Sequence, residues 1–282
     1  MHTYIVTGSD GFIGGRLSAE LENMGHRVIP YEIENVIRPD WKILLEETLS
    51  ESGKIECVFH VGACSDTLNT DVNSMMLLNY EFSRVLGNMC SAGGIKLIYS
   101  SSAACYGVDL SNLPANLYGW SKYAAESHIS SNEQGVSLRY FNVFGPGEHN
   151  KGRMASVGYQ SFVKHFIENK EVGLFPGNPM RDFVHVDDVV YANLQAYKNY
   201  NPGEVYDVGS CTPLKFEEFL SIMDIPFVYL DESQIPEGYQ FYTTANIKKT
   251  IPGWLTKKNI KTRIEEYSVY LQDMRKNGIF DK

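Results

Sequence analysis

The sequence predicts an α/β protein: a doubly wound parallel sheet from 1–144, with 181–211 returning to it, and a smaller C-terminal substrate-binding lobe from 145–180 and 212–282. Three observations predict it. Short β-rich apolar runs alternate with longer amphipathic stretches, a glycine-rich turn follows the first run, and the alternation loosens after Phe144. Apolar runs bounded by turn residues and separated by helix-length segments are the pattern of parallel strands buried on both faces.

Residues 4–7, 27–31, 56–60, 96–100 and 137–141 read as the strands. Between them, 12–24, 42–51, 71–92 and 118–132 carry helical periodicity. Beyond Phe144, Gly145-Pro146-Gly147 and Phe175-Pro176-Gly177-Asn178-Pro179 signal loops, flanking a helix expected over 156–168. Another helix is expected over 186–199. From about Thr212, Pro213, Pro226, Pro236 and Pro252 separate short elements, and a last helix spans 261–276. With no repeat and no flexible linker, this tail packs on the sheet domain, and the cleft between them is the expected ligand site.

The net charge of −9 argues against a nucleic-acid or acidic-membrane surface. Five scattered cysteines without a C-x-x-C pair form neither a disulfide framework nor a zinc site, so no metal is expected. No apolar run reaches the ~18 residues of a membrane span. The first residues run straight into the glycine turn, without the basic and apolar segments of a leader, and a cytoplasmic protein is expected.

Gly8-Ser9-Asp10-Gly11-Phe12-Ile13-Gly14 leaves the first strand and opens the first helix. Such glycines allow a tight turn, close approach of backbone N–H groups to a pyrophosphate, and close helix–sheet contact. The anion would sit at the helix N-terminus, where free N–H groups and the helix dipole both favour it. The domain is thus expected to be Rossmann-type, with Gly8, Gly11, Phe12, Ile13 and Gly14 holding a nicotinamide dinucleotide. Glu32, ending the second strand, would accept bonds from the adenosine ribose and favour NAD. Arg38, six residues on, would instead neutralise the 2′-phosphate of NADP, so both cofactors stay open. Gly62 and Ala63, after the third strand, let the cofactor lie close, and His60 before them reads as structural. Asn79, within the long helix 71–92, is a further cofactor-side candidate, facing either the active site or solvent.

Tyr118-Gly119-Trp120-Ser121-Lys122 places a phenol and an ammonium four residues apart, on one helix face. A nearby ammonium favours the phenolate and draws the tyrosine toward the range of a general base. Lys122 would also hold the nicotinamide ribose. Ser102, closing the Ser100-Ser101-Ser102 run at the end of the fourth strand, would bond the substrate hydroxyl that loses its hydride. The pair therefore points to redox chemistry on a sugar-like alcohol.

Several segments carry a resemblance: Phe59-His60-Val61-Gly62-Ala63-Cys64-Ser65, Ser101-Ser102-Ala103-Ala104-Cys105-Tyr106-Gly107, and Arg139-Tyr140-Phe141-Asn142-Val143-Phe144-Gly145-Pro146. Lys151-Gly152-Arg153-Met154-Ala155-Ser156-Val157, Arg181-Asp182-Phe183-Val184 and Gly238-Tyr239-Gln240-Phe241-Tyr242-Thr243 continue it over nearly the whole chain. Together they resemble the extended short-chain dehydrogenases of the NAD-dependent epimerase/dehydratase family. The 151–157 and 239–243 pieces resemble its nucleotide-heptose epimerase branch in particular.

The resemblance implies an epimerase that takes a hydride from carbon 6 of a heptose and returns it to the other face of the transient ketone. It implies Tyr118 as one acid–base group and Lys151, in a glycine-rich loop, as a second. Asn142 and Gln160 would contact the substrate, Arg181 would clamp its diphosphate, and Tyr239 would close over the sugar. Dehydratases of this architecture carry an Asp-Glu pair after the serine, where this chain has Ala103-Ala104; that leaves plain oxidation and re-reduction. The sequence also departs from the heptose branch. Residues 33–49 are short, with Asp40 a candidate for the adenine pocket, and the loop from Ser102 to Tyr118 is abbreviated. Gln160 stands in place of a histidine and Gly238 in place of an arginine. The expected partners are a small-molecule nucleotide-sugar and other copies of the chain in a homo-oligomer, with no nucleic acid and no membrane. Two alternatives stand beside this reading: an epimerase or reductase acting elsewhere, such as carbon 4 of a UDP-hexose, and a non-catalytic NAD(P)-binding sensor.

Overall fold

The computed structural model describes residues 1–108, 113–236 and 239–280. Its centre is a six-stranded, all-parallel sheet. Five strands are β1 (Thr3–Thr7), β2 (Arg27–Tyr31), β3 (Ile55–His60), β4 (Lys96–Ser102) and β5 (Val136–Tyr140). The sixth, Val205–Val208, joins the edge beyond β5, giving the order Val205–Val208, β5, β4, β3, β1, β2. The chain leaves β1 for β2 on one side and then returns to place β3 on the other. That reversal opens a crevice at the carboxyl ends of β1 and β3, the ligand position of open α/β sheets.

Side chains of each strand alternate between two cores, as the period of two requires. Tyr4, Val6, Cys57 and Phe59 pack with Leu17 and Leu21 of α1 (Phe12–Asn23) and with Val189 of the helix Val186–Lys198. Ile5 and Val58 face the other way. α2 is the short helix Ile33–Val36, followed by α3 (Trp41–Glu51), α4 (Val72–Met76), α5 (Phe82–Ala92) and α6 (Leu117–Ser131). Trp41, Leu45, Phe82, Leu86, Ala125 and Ile129 from these helices complete the second core. A third core, around Phe144, Phe162, Phe183, Phe219, Ile264 and Tyr267, belongs to the smaller lobe. The fold is thus Rossmann-type with a C-terminal lobe.

Three local readings are corrected. The single helix expected over 71–92 is two α-helices joined by a π-turn at Leu77–Glu81, where Ser83 Oγ donates to the Asn79 carbonyl at 2.7 Å. Periodicity cannot register one inserted residue, and such bulges gather at functional sites. The expected helix over 156–168 likewise closes in a π-turn, Val163–Ile167. The edge strand Val205–Val208 was not expected, because Asp207 interrupts its apolar run. The segment Asn142–Phe144 leaves the main sheet and pairs in parallel with Phe183–His185.

Candidate active site

A groove of about 710 Å³ runs along the carboxyl edge of the sheet. Gly8, Gly11, Phe12, Ile13 and Gly14 line one end, with Glu32, Gly62 and Ala63 beside them. Gly8 has φ +65°, and a Cβ there would stand 2.6 Å from Gly62 Cα. A Cβ on Gly14 would stand 2.0 Å from the Gly8 carbonyl oxygen. Only glycine permits this approach of β1, β3 and α1. Gly11 caps α1 without a side-chain bond, so the opening amides of the helix face the groove free of a local side-chain acceptor. These residues fit the pyrophosphate of a dinucleotide. The Glu32 carboxylate is fixed by the Ser9 amide at 2.6 Å and the Ser9 hydroxyl at 2.5 Å. The Glu32 backbone N–H donates to Asn35 Oδ1 at 3.1 Å, which fixes the start of α2 beneath it.

Ser102 closes β4, and its hydroxyl stands beside the Tyr118 phenol. Tyr118 and Lys122 lie one turn apart on α6, whose first turn is capped by the Asn116 side chain accepting from Gly119 N at 2.8 Å. Lys122 is buried, with Nζ 4.4 Å from the centre of the Tyr99 ring. Burial brings its ammonium down to about 8. Burial also pushes the Tyr118 phenol up to about 12, against the pull of the Ser102 hydroxyl. The expected lowering of Tyr118 by Lys122 is therefore not met in the protein alone: both groups stand in a wall poor in water, and lost hydration dominates both. Lys151 lines the same groove, with Nζ 5.4 Å from the centre of the Phe12 ring. Burial lowers its ammonium, and the nearby Glu148 carboxylate opposes that shift.

A second groove, of about 1310 Å³, meets the first at Ser102, Tyr118 and Asn142, which line both. Gln160, Arg181 and Tyr239 line its far part. The Arg181 guanidinium is buried between aromatic faces, 5.6 Å from the Phe216 ring centre and 5.3 Å from that of Tyr239. Its Nη1 donates to the Met180 carbonyl at 3.0 Å. A guanidinium stacked in this way keeps the rest of its planar donor fork for an oxyanion.

Residues 4–209 match the model of the NAD dependent epimerase/dehydratase family. The chain belongs to that family. Among curated relatives, the ADP-L-glycero-D-manno-heptose-6-epimerase of Brachyspira hyodysenteriae is 31% identical, over 95% of this chain and 97% of its own length. Among solved structures, the Helicobacter pylori ADP-L-glycero-D-manno-heptose-6-epimerase is 26% identical with a TM-score of 0.82, covering 96% of each chain. The Thermotoga maritima UDP-glucose 4-epimerase, solved with UDP-glucose, is 25% identical with a TM-score of 0.83, over 97% of this chain and 99% of its own. Membership makes this an NAD(P)-dependent enzyme of nucleotide-sugar chemistry. Among the described residues no helix is long and apolar enough to cross a membrane.

Against this family frame, some candidates lie elsewhere. Arg38 does not line the groove; its guanidinium is exposed and makes two 2.9 Å bonds to Asp40, which spends both side chains on each other. Asn79 is buried away from the cofactor groove rather than facing it or solvent. Its side chain accepts from Cys64 N at 2.8 Å and donates to Cys64 O at 3.0 Å and Ser121 Oγ at 2.9 Å. It ties the loop after β3 to the helix of Tyr118. His60 bridges Thr7 Oγ1 at 2.7 Å and Ser83 Oγ at 2.8 Å, and burial brings it down to about 3, so it is neutral and structural. Gln160 lines the second groove, yet its amide donates to the Ala155 and Arg153 carbonyls at 2.6 and 3.2 Å, bracing the Lys151 loop. Gly238 lies outside the described residues.

Three buried charges escaped the sequence reading. Glu126, one turn beyond Lys122, pairs with Arg139 at 2.6 Å and takes the Ser101 hydroxyl at 2.6 Å, bracing α6 against the serine run. The Asp182 carboxylate accepts from Ser210 N, Ser210 Oγ, Cys211 N and Ala245 N at 2.6–2.9 Å, anchoring the segments around Arg181. Glu148 is fully buried beneath the Lys151 loop. A charged residue inside the apolar run Val136–Tyr140 was the one available signal, for Arg139.

Proposed function

We propose that this chain is a nucleotide-sugar epimerase that oxidises a carbinol to a ketone and re-reduces it on the other face, with carbon 6 of an ADP-linked heptose as its substrate position. The observation that carries this reading is the junction of the two grooves at Ser102, Tyr118 and Asn142, with Lys151 as a second ionisable group lining the first groove. A sugar carbon at that junction reaches both the nicotinamide end of one groove and the diphosphate clamp of the other. Ala103 and Ala104 offer no acid to expel water, which favours epimerisation over dehydration. The heptose assignment is supported by the 31% identity to the Brachyspira enzyme and by the 151–157 and 239–243 segments.

The nicotinamide supplies a reversible hydride acceptor. Tyr118 removes the hydroxyl proton, with Ser102 bonding the same oxygen. A nicotinamide held at its ribose by Lys122 would, when oxidised, bring a positive charge that favours the phenolate against the burial that holds it at about 12. The ketone turns within the second groove, held at its diphosphate by Arg181 and beneath Tyr239. Lys151 then donates a proton to the carbonyl oxygen in its new orientation, where the bound cofactor would supply the hydride to carbon. Hydride and proton leave and return in equal number, so no net oxidation occurs.

Incubation of the protein and cofactor with each ADP-glycero-manno-heptose epimer, UDP-glucose and dTDP-glucose, followed by NMR, tests the proposal. Inversion at carbon 6 of the heptose without solvent deuterium at that carbon is expected. Inversion at carbon 4 of a hexose, or loss of water, would replace it.

We further propose NAD as the preferred cofactor. Glu32 puts a held carboxylate at the ribose end of the groove, while Arg38 is occupied by Asp40. A 2′-phosphate there meets like charge. NAD should bind tighter than NADP by on the order of tenfold, equivalent to about 1.4 kcal/mol. Glu32→Gln should shrink that ratio, and equal affinities in the unaltered protein would refute the assignment.

A further inference from the structure

We infer that Glu148 is the positioning residue of the Lys151 face, a buried carboxylate that staples the two ends of the loop carrying that lysine. The inference rests on the reading of Lys151 as the second acid–base group. The loop runs from Gly145 to Ser156 and turns through three glycines with positive φ: Gly145 at +136°, Gly147 at +102° and Gly152 at +53°. Glycine imposes little on its own φ and ψ, so this backbone has no intrinsic reason to hold one shape. The Glu148 carboxylate supplies the reason. It accepts from Gly145 N at 3.3 Å at one end, and from Ser156 N at 2.5 Å and Ser156 Oγ at 2.8 Å at the other. The hydroxyl of Tyr267, from the last helix Ile260–Lys276, stands beside the same carboxylate.

Glu148 is fully buried, and among the described residues no arginine or lysine stands within ion-pair distance of it. A buried carboxylate is costly unless hydrogen bonds replace its water. Here every replacement bond closes the loop on itself. Lys151 follows Glu148 by three residues in the 3₁₀ segment Glu148–Met154, the spacing that stacks side chains on one side of such a turn. The same carboxylate therefore shapes the backbone under Lys151 and lies close enough to favour its charged form. Tyr118 needs no such device, since a regular helix carries it.

Glu148→Gln keeps the shape but swaps one acceptor oxygen for a donor that must face an N–H or hydroxyl. Interconversion should fall by on the order of 10²-fold, the effect of an ångström-scale misplacement. The informative readout is transient cofactor reduction with each pure epimer. The epimer whose proton goes to Tyr118 should reduce the cofactor at the unaltered rate, and the epimer served by Lys151 should be slow. In a Lys151→Ala background the Glu148→Gln change should cost nothing further, because the two act as one unit. Ser156→Ala removes one observed donor to the carboxylate and should give the same asymmetry, more weakly, should the glutamine variant fold poorly. Equal slowing with both epimers, or an additive loss on Lys151→Ala, would overturn the inference. A Lys151→Ala enzyme with full interconversion would overturn the underlying reading of Lys151 itself and the asymmetry with it.

Discussion

Tyr118 and Lys151 line the same groove but are held there by opposite means. Tyr118 rides on a 15-residue helix, capped by Asn116 and braced against the sheet through Glu126 and Arg139. Lys151 sits on a loop of left-handed glycines that depends on a few side chains: Glu148 within it, Gln160 beyond it and, at the rim, Asp66. One face is positioned by backbone regularity and the other by a few polar bonds. A regular helix resists small losses because many bonds share the strain, whereas a stapled loop concentrates its order in single contacts. The two faces should therefore respond differently to damage of similar size.

The largest effect should come from the reacting groups. Tyr118→Phe removes the phenolic proton carrier and should cut interconversion by about 10²–10⁴-fold, while cofactor affinity should stay within error by calorimetry. Lys151→Ala should also stop interconversion but leave single hydride transfer from one epimer, seen as a burst of reduced cofactor. If both variants lose the burst for both epimers, the division of labour between the two faces is wrong.

The contrast also explains what was legible in the sequence. The glycine turn, the Tyr118–Lys122 pair and Ser102 are local patterns, and each lies at the sheet edge where its pattern places it. The strands followed from apolar runs of the right length. The supports of the Lys151 loop are different in kind. Glu148 in a glycine-rich stretch reads as a solvated carboxylate, and only packing against Tyr267, far along the chain, buries it. Asp182 follows an arginine of evident interest, yet its bonds go to Ser210, Cys211 and Ala245. Arg38 shows the reverse error: its charge suggested a phosphate, while Asp40, two residues on, had already engaged it. Asn79 was singled out by type and helix, but the π-turn that buries it leaves no periodic trace.

Asn79 offers the next test, on the regular side. Asn79→Ala leaves Cys64 N–H and C=O without their side-chain partner and frees Ser121. Loss of a buried partner of this kind costs about 1–3 kcal/mol, measurable by denaturant titration. Because α6 keeps its own backbone bonds, Tyr118 should hold its place, and the turnover of the folded fraction should fall far less than in Tyr118→Phe. A collapse of turnover at unchanged stability would show that the helix does not hold Tyr118 alone.

The smallest effect should come from the rim of the loop side. Arg153 of the Lys151 loop pairs with Asp66, in the segment after β3, joining the two walls of the groove near its mouth. Both side chains are accessible to water, so the pair is screened and weak. Asp66→Asn should change cofactor affinity and turnover by a few-fold at most, and the unaltered protein in high salt should approach the variant in low salt. If instead the variant is as slow as Glu148→Gln, the loop is held from its rim and not from its buried end. The stapled face would then be ordered from outside, by a contact that salt can dissolve, and its activity should follow ionic strength where that of the Tyr118 face does not.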